Sequence, residues 1–297
     1  LPLGAATQGL EGEQLANMFS LTEAGCPALS NARNPVKDSY VLQRVMEYAA
    51  TYGIRLFLSA NDIALSGGCM HAGPTATRMG LDGISEAAET IALSQILLLA
   101  EQTGVTLHIS QISCGRSVQM LKQARDNGLS VSADVPLANL VYTDESVNGY
   151  NSHFNVLPPL RSEADRQALL AAVNDGELAI SSNHRPHEIA AKKAPFPDAE
   201  PGMSMFDCFL PLALKLVNSG ELQWPALVRA TSQIPAQVIG LQHTGLAEGN
   251  DFSAALIDTD SLADWSQLSS KGRNIPCAGE PLKGAVSALF VNGAQVL

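Results

Sequence analysis

The sequence is short of positive charge, of paired cysteines and of long apolar runs. Eighteen lysines and arginines stand against 29 aspartates and glutamates, giving a formal net charge of −11 and a pI near 4.9. That balance argues against a nucleic-acid binder, whose affinity rests on cations meeting phosphates. No apolar run approaches the ~18 residues of a membrane span, and the greasiest stretch is Ile91–Ala100. The first residues, Leu1–Leu10, lack the basic start and cleavage site of a secretory signal. Five cysteines (Cys26, Cys69, Cys114, Cys208, Cys277) are dispersed without a CxxC pair, which predicts reduced thiols and a cytoplasmic setting. No Gly-x-Ser-x-Gly elbow occurs, and Ser66-Gly67-Gly68 does not lead straight into a helix, so a phosphate-cradling loop is not supported.

What is present is an ordinary packed globule of 297 residues, 46% hydrophobic and 16% charged. Apolar runs alternate with helix-periodic runs. Strands are expected at Leu3–Thr7, Cys26–Asn31, Arg55–Asn61, Thr106–Ile112, Ser130–Val135 and Leu178–Asn183. Between them lie helical stretches at Gly12–Ala24, Pro35–Tyr52, Ile84–Thr103 (Ser85 as N-cap, Gly104 as its stop), Ser117–Asn127 and Ser162–Asn174. Ser66–Gly73 reads as a Gly-rich loop. Met205–Asn218, Trp224–Ser232 and Pro235–Leu241 read as further helices. This alternation predicts parallel βα units, hence a (β/α)8 TIM-like barrel. Six strands precede residue 184 where a closed barrel needs eight. From about residue 245 the helices stop, and Phe252–Asp258 and Gly284–Val296 read as strands of a small β appendage. The expected division is therefore 1–244, a partial barrel, and 245–297, strands of a small β domain.

In such barrels chemistry sits at the C-terminal strand ends. There stand Ser30, Asn31, Ala32 and Arg33; Ser59, Ala60, Asn61 and Asp62; His108, Ser110, Gln111 and Ser113; Asp134; and Asn183, His184, Arg185 and His187. These are polar but poor in metal ligands, since zinc takes Cys, neutral His or carboxylate. His184 and His187 form the most suggestive pair, against the plainer reading of two hydrogen-bonded imidazoles in a polar loop. His108 reads as a satisfied core or rim histidine, and His71 and His153 as solvated loop residues. The sixth histidine is His243. Glu86 and Glu89 read as surface or interface charges. Cys114, near a helix start, reads as an inert buried thiol rather than a nucleophile.

These strand ends resemble the dihydroorotases of the metal-dependent amidohydrolase superfamily, over essentially the whole chain and in order. Gly80–Glu89 is similar to the family's GLxGIPxxAE stretch, Leu107–Ser113 to its xHxxHxS strand, Leu157–Arg161 to NPPLR and Ser182–His187 to TDHAPH. Lys192–Gly202, Asn274-Ile-Pro and Gly284–Val296 resemble the elements that follow. The departures fall at ligand positions. The family's SDDG carboxylate corresponds to Asn31 or Ala32, the His of its HCED element to Ser59 (Asp62 survives), the second strand His to Gln111, and its catalytic Asp to Asn183. The resemblance also implies that the first two barrel strands, with their HxH pair, are absent from this chain, as in a fragment or a cleaved product.

A dihydroorotase uses zinc to acidify a water, and its strand-end Asp moves the proton. Asn183 has no titratable proton. The resemblance is nearest to the inactive, dihydroorotase-like chains of some bacteria. It implies a non-catalytic protein of pyrimidine biosynthesis that supports assembly or activity of aspartate carbamoyltransferase in a hetero-oligomer. No catalytic residue, metal or cofactor is expected, His184 and His187 are vestigial substrate-binding groups at most, and neither nucleic acid nor membrane is a partner. The alternative is an active zinc-dependent dihydroorotase.

Overall fold

The computed structural model describes residues 1–241, 245–250 and 252–297. His243 and the expected boundary at residue 244 fall outside them. In chain order the strands are β1 (Gly4–Ala5), β2 (Leu29–Ser30), β3 (Leu56–Ser59), β4 (Met70–His71), β5 (Gly83–Ile84), β6 (Leu107–Ser110), β7 (Val131–Pro136), β8 (Ala179–Ser181), β9 (Ala254–Leu262), β10 (Lys283–Val291) and β11 (Ala294–Gln295). The helices are α1 (Met18–Glu23), α2 (Ser39–Thr51), α3 (Pro74–Met79), α4 (Ala87–Thr103), α5 (Gly115–Asp126), α6 (Leu137–Val141), α7 (Glu163–Asn174), α8 (Phe206–Asn218), α9 (Trp224–Val228) and α10 (Ile234–Val238).

Six of the strands form one sheet in the order β1-β2-β3-β6-β7-β8, every neighbouring pair parallel. These are the six strands the alternation predicts. Two-residue periodicity sorts their side chains. Leu56, Leu58, Leu107, Ile109, Val131, Ala133, Val135 and Ile180 are buried in the main core, with Leu93 and Ile96 of α4, Leu121 of α5, Leu169 of α7 and Leu212 of α8. The alternate positions, Phe57, Ser59, His108, Ser110, Ser132, Asp134 and Ser181, take the other face. Apart from Phe57, whose ring lies against His108, that face is polar: His108 bonds Ser132 Oγ and Asp134 Oδ2, each at 2.9 Å, and Ser181 donates to Asp134 Oδ1.

The structure corrects several local expectations. The helix expected over Gly12–Ala24 shrinks to α1, because Gly12 takes φ +77° and Leu15 bridges Thr7. Asn17 caps what remains. Ser66–Gly73 is not all loop: β4 pairs with β5 in parallel. Gly83 permits that approach, since a Cβ there would lie 2.4 Å from Ala72 Cα. Two short helices escaped the periodicity, α3 with proline at its first position and α6 directly after Pro136. Gly104 does end α4, at φ +68°. Ser85 lies one residue outside the N-cap, and its hydroxyl accepts from Ala87 N at 3.2 Å.

The C-terminal strands form a separate antiparallel sheet, β11-β10-β9. It touches the barrel where Gly284 lies against Leu214 of α8. The segment before β10 is tied in more firmly. Asn274 is fully buried, donates to the carbonyls of Arg185 and Gly202 and accepts from His187 N at 2.7 Å.

Candidate functional site at the barrel mouth

The loops at the C-terminal strand ends enclose a cavity of about 200 Å³, lined by Arg33, Ser59, Asn61, Gln111, Pro158 and Arg161 among others. A neighbouring cleft of about 380 Å³, between α2 and α4, shares Ser59 and Asn61 with it. Two arginines dominate the mouth, in opposite ways.

Arg161 is 3% exposed and fully engaged. Its Nε donates to Ser113 Oγ at 3.0 Å, and Nη1 donates to Ile84 O at 2.7 Å and His71 Nδ1 at 3.2 Å. Nη2 stands 3.9 Å from Glu89 Oε2. Glu89 is 4% exposed. It is therefore not the surface charge the sequence suggests. Its carboxylate accepts from Ser113 N and Oγ, Cys114 N and Ser117 Oγ, at 2.5–3.3 Å. These donors surround the N-terminus of α5, where free N–H groups favour an anion. Burial and the Glu89 charge push the Cys114 thiol up to about 12, so the inert reading of that cysteine stands. His71 is half-buried rather than solvated. An arginine N–H can only donate, so Nδ1 of His71 carries no proton, and burial and Arg161 lower its affinity for a second one. His153 is likewise half-buried, with Nδ1 unpartnered among the described residues.

Arg33 follows β2 and crosses the mouth. It donates to Leu157 O at 2.8 Å and to Asn183 Oδ1 beyond β8. In the sheet order β2 and β8 are four strand spacings apart, about 19 Å if flat. A direct side-chain link between their ends requires the sheet to curl, so Arg33 reports the barrel curvature. Burial and nearby Arg185 lower its proton affinity, while Asp134 raises it. Its bonded acceptors are both uncharged.

The strand-end positions that the resemblance singles out lie around this crossing. Ser59 and Gln111 line the cavity. Ser59 Oγ donates to Ala32 O at 3.1 Å, and Asn183 Nδ2 to Leu157 O at 3.0 Å. Asn31 is 2% exposed and is spent on local bonds with Thr7, Leu10 O and Asn34 O. Asp62 caps the short turn Ile63–Leu65. Ala32, Gln111 and Asn183 have φ of +52°, +62° and +45°, a left-handed backbone that costs non-glycine residues about 1 kcal/mol or more.

The two histidines are built into the frame. His184 Nδ1 accepts from Met205 N and Phe206 N, which places its proton on Nε2. Its ring stacks on Phe206 at 3.8 Å between centroids, and burial lowers its proton affinity. His187 Nε2 meets Pro201 O at 3.2 Å and so carries the proton there. His108 is a satisfied core histidine, 3% exposed. Zinc needs Cys, neutral His or carboxylate. Asn31, Ala32, Ser59, Gln111 and Asn183 supply none. Among the described residues no three His, Cys, Asp or Glu side chains gather so as to hold a metal ion. The residues present do not fit zinc.

The amidohydrolase family model matches residues 8–294. A dihydroorotase-like protein of Pseudomonas aeruginosa is 43% identical over 296 residues, 98% of this chain and 70% of that protein. A dihydroorotase of Trichlorobacter lovleyi is 36% identical over 301 residues, 99% of this chain and 70% of its own. Among solved structures, an L-hydantoinase (dihydropyrimidinase) from Arthrobacter aurescens superposes with a TM-score of 0.84 at 22% identity, over 99% of this chain and 69% of that one. This last likeness shows the barrel fold alone. Among the described residues no helix is long and apolar enough to cross a membrane.

Proposed function

The chain belongs to the amidohydrolase family and is dihydroorotase-like, and we propose that within that family it is a non-catalytic protein of pyrimidine biosynthesis. Its role is to support assembly or activity of aspartate carbamoyltransferase. The observation that carries this reading is the Arg33 crossing. A guanidinium, which cannot be deprotonated in a protein, lies between strand ends whose own side chains are amides, a methyl group and a hydroxyl. A divalent cation placed beside it would meet repulsion, and the carboxylates nearby, Glu89 and Asp134, are already engaged by Ser113 and Ser117 and by His108 and Ser181. Asn183 can neither take a proton from a water nor give one to a leaving nitrogen. The 43% identity to a dihydroorotase-like protein supports the same reading.

The test has two arms. Elemental analysis after purification in zinc-supplemented buffer should find a zinc stoichiometry near zero. The protein should also bind the aspartate carbamoyltransferase of the same cell at micromolar concentration. Tightly held zinc with turnover of dihydroorotate would overturn the non-catalytic reading, and absence of binding would overturn the partner. Asn183→Asp alone should restore no activity, because the other ligand positions stay empty of donors.

A further inference from the structure

Two buried thiols meet where the C-terminal segment lies along α8. Three ties place that segment. Ser204 N donates to Asn274 O at 3.0 Å. The Asp207 carboxylate accepts from Ser269 N and Ser270 N at 2.7 and 3.1 Å. Lys215 Nζ reaches Glu280 Oε2 at 3.5 Å. Cys277 stands between Asn274 and Glu280 in the chain, and Cys208 stands between Ser204 and Lys215, so the two cysteines fall within the same stretch of the contact. Their thiols interact as a hydrogen-bonded pair. Both residues are fully buried in the main core. Cys208 Sγ also lies 3.3 Å from Ser204 O and 3.7 Å from Met205 Sδ. Tyr142, at the end of α6, stands near enough for both thiols to act on it, and its hydroxyl is buried without a partner among the described residues. The barrel mouth uses neither sulfur. Cys114, by contrast, is spent on the Glu89 cluster, and Cys69 meets Asp82 O.

We propose that Cys208 and Cys277 are a modification site, a dithiol that a peroxide converts into a disulfide stapling the C-terminal segment to α8. The thiolate is the reactive form of cysteine, and the Cys277 thiol and burial raise the Cys208 thiol well above its ordinary value. The closed pair is therefore inert, and oxidation begins when the segment lifts. One thiol then attacks the peroxide: an S–O bond forms, the O–O bond breaks, and a sulfenic acid and water result. Closure returns the second thiol to it. The S–S bond forms, the S–O bond breaks, and the oxygen leaves as a second water. The two sulfurs lose two electrons in all, and the peroxide gains them. The staple bears on the loop over the mouth from both sides. Asn274, which holds Arg185, Gly202 and His187, is close in sequence to one anchor. Met205 and Phe206, whose N–H groups hold His184, are close to the other.

The full chain, reduced and then treated with hydrogen peroxide without denaturant, tests this. Free thiols are alkylated, and the chain is digested without reductant and mapped by mass spectrometry. The expected product is a linked Cys208–Cys277 peptide pair, lighter by two hydrogens and returned to two thiols by dithiothreitol. Limited tryptic cutting after the exposed Lys271 and Arg273 should slow at least about tenfold in the oxidised chain, because the cut needs the segment to open. Cys208→Ala and Cys277→Ala should each lose both effects, and Cys69→Ala neither. Oxidation at Cys26 or Cys69 with no Cys208–Cys277 link would overturn the pairing, as would equal yield of that link from a chain unfolded in urea. A link that leaves tryptic cutting unchanged would overturn the staple. If an alanine variant does not fold, mapping and proteolysis of the unaltered chain decide alone.

Discussion

Arg161 and Arg33 share one barrel mouth and are held by opposite means. Arg161 is buried and faces a carboxylate, and that carboxylate is itself surrounded by donors from a helix N-terminus. Arg33 crosses open space to a carbonyl and an amide oxygen. A buried charge is tolerable only when paired and hydrogen-bonded, so the first arginine is framework. An arginine on neutral acceptors keeps an excess of charge and donors, so the second is available to something else. Both donate to uncharged acceptors, and what separates them is the carboxylate within ion-pair reach of Arg161.

The comparison breaks first at Glu89. Glu89→Ala leaves Arg161 and the α5 donors uncompensated and should cost about 3–5 kcal/mol, read as a lowered midpoint in denaturant unfolding. A loss below about 1 kcal/mol would mean that the Arg161 cluster is not framework.

Lys192 sharpens the contrast, because it is a third cation held only by neutral groups. Its Nζ donates to the carbonyls of Ser152, Asn155 and Glu200, and burial and Arg185 pull it from the ordinary 10.5 down to about 8. Between those values the unfolded chain holds a proton that the folded one has lost, so stability rises with pH across the window from about 8 to 10.5. Unfolding midpoints of the protein minus those of Lys192→Met should therefore climb over that range; a flat difference would show that the three carbonyls restore the charged form.

The third effect is smaller. Arg33→Met removes two bonds to neutral acceptors together with an uncompensated charge, and should cost only about 1 kcal/mol. A cost equal to that of Glu89→Ala would erase the distinction between the two arginines. The smallest effect is favourable: Ala32→Gly relieves a left-handed alanine at φ +52° and should stabilise by about 0.5 kcal/mol, the relief being partly offset by the flexibility of unfolded glycine. The same unfolding curves measure it.

The periodicities were enough to read the parallel sheet, because two-residue alternation in Leu107-His-Ile-Ser110 or Val131-Ser-Ala-Asp134 records which face meets the helices. They failed where structure is short or set from afar. The β4–β5 pair is two residues long on each side. Glu89 looked like a surface charge because its hydrogen-bond donors lie 24–28 residues downstream and Arg161 further still, and nothing in the α4 sequence names them. The available signal was downstream, in the serines Ser113 and Ser117 that flank a helix start. The strand-end amides were legible as side chains that serve zinc poorly. The Arg33 crossing was not, although Arg33 stood among the strand-end residues, because its reach to Asn183 depends on curvature and curvature is a property of the whole sheet.

Asn274 closes three bonds, to Arg185, Gly202 and His187, from a position outside the barrel helices. The C-terminal segment therefore cannot peel away while the His184–His187 loop stays closed, and the two must open as one cooperative unit. The amide proton of His187 is sealed by that single side chain, so its rate of exchange with solvent is a clock for the opening of the mouth.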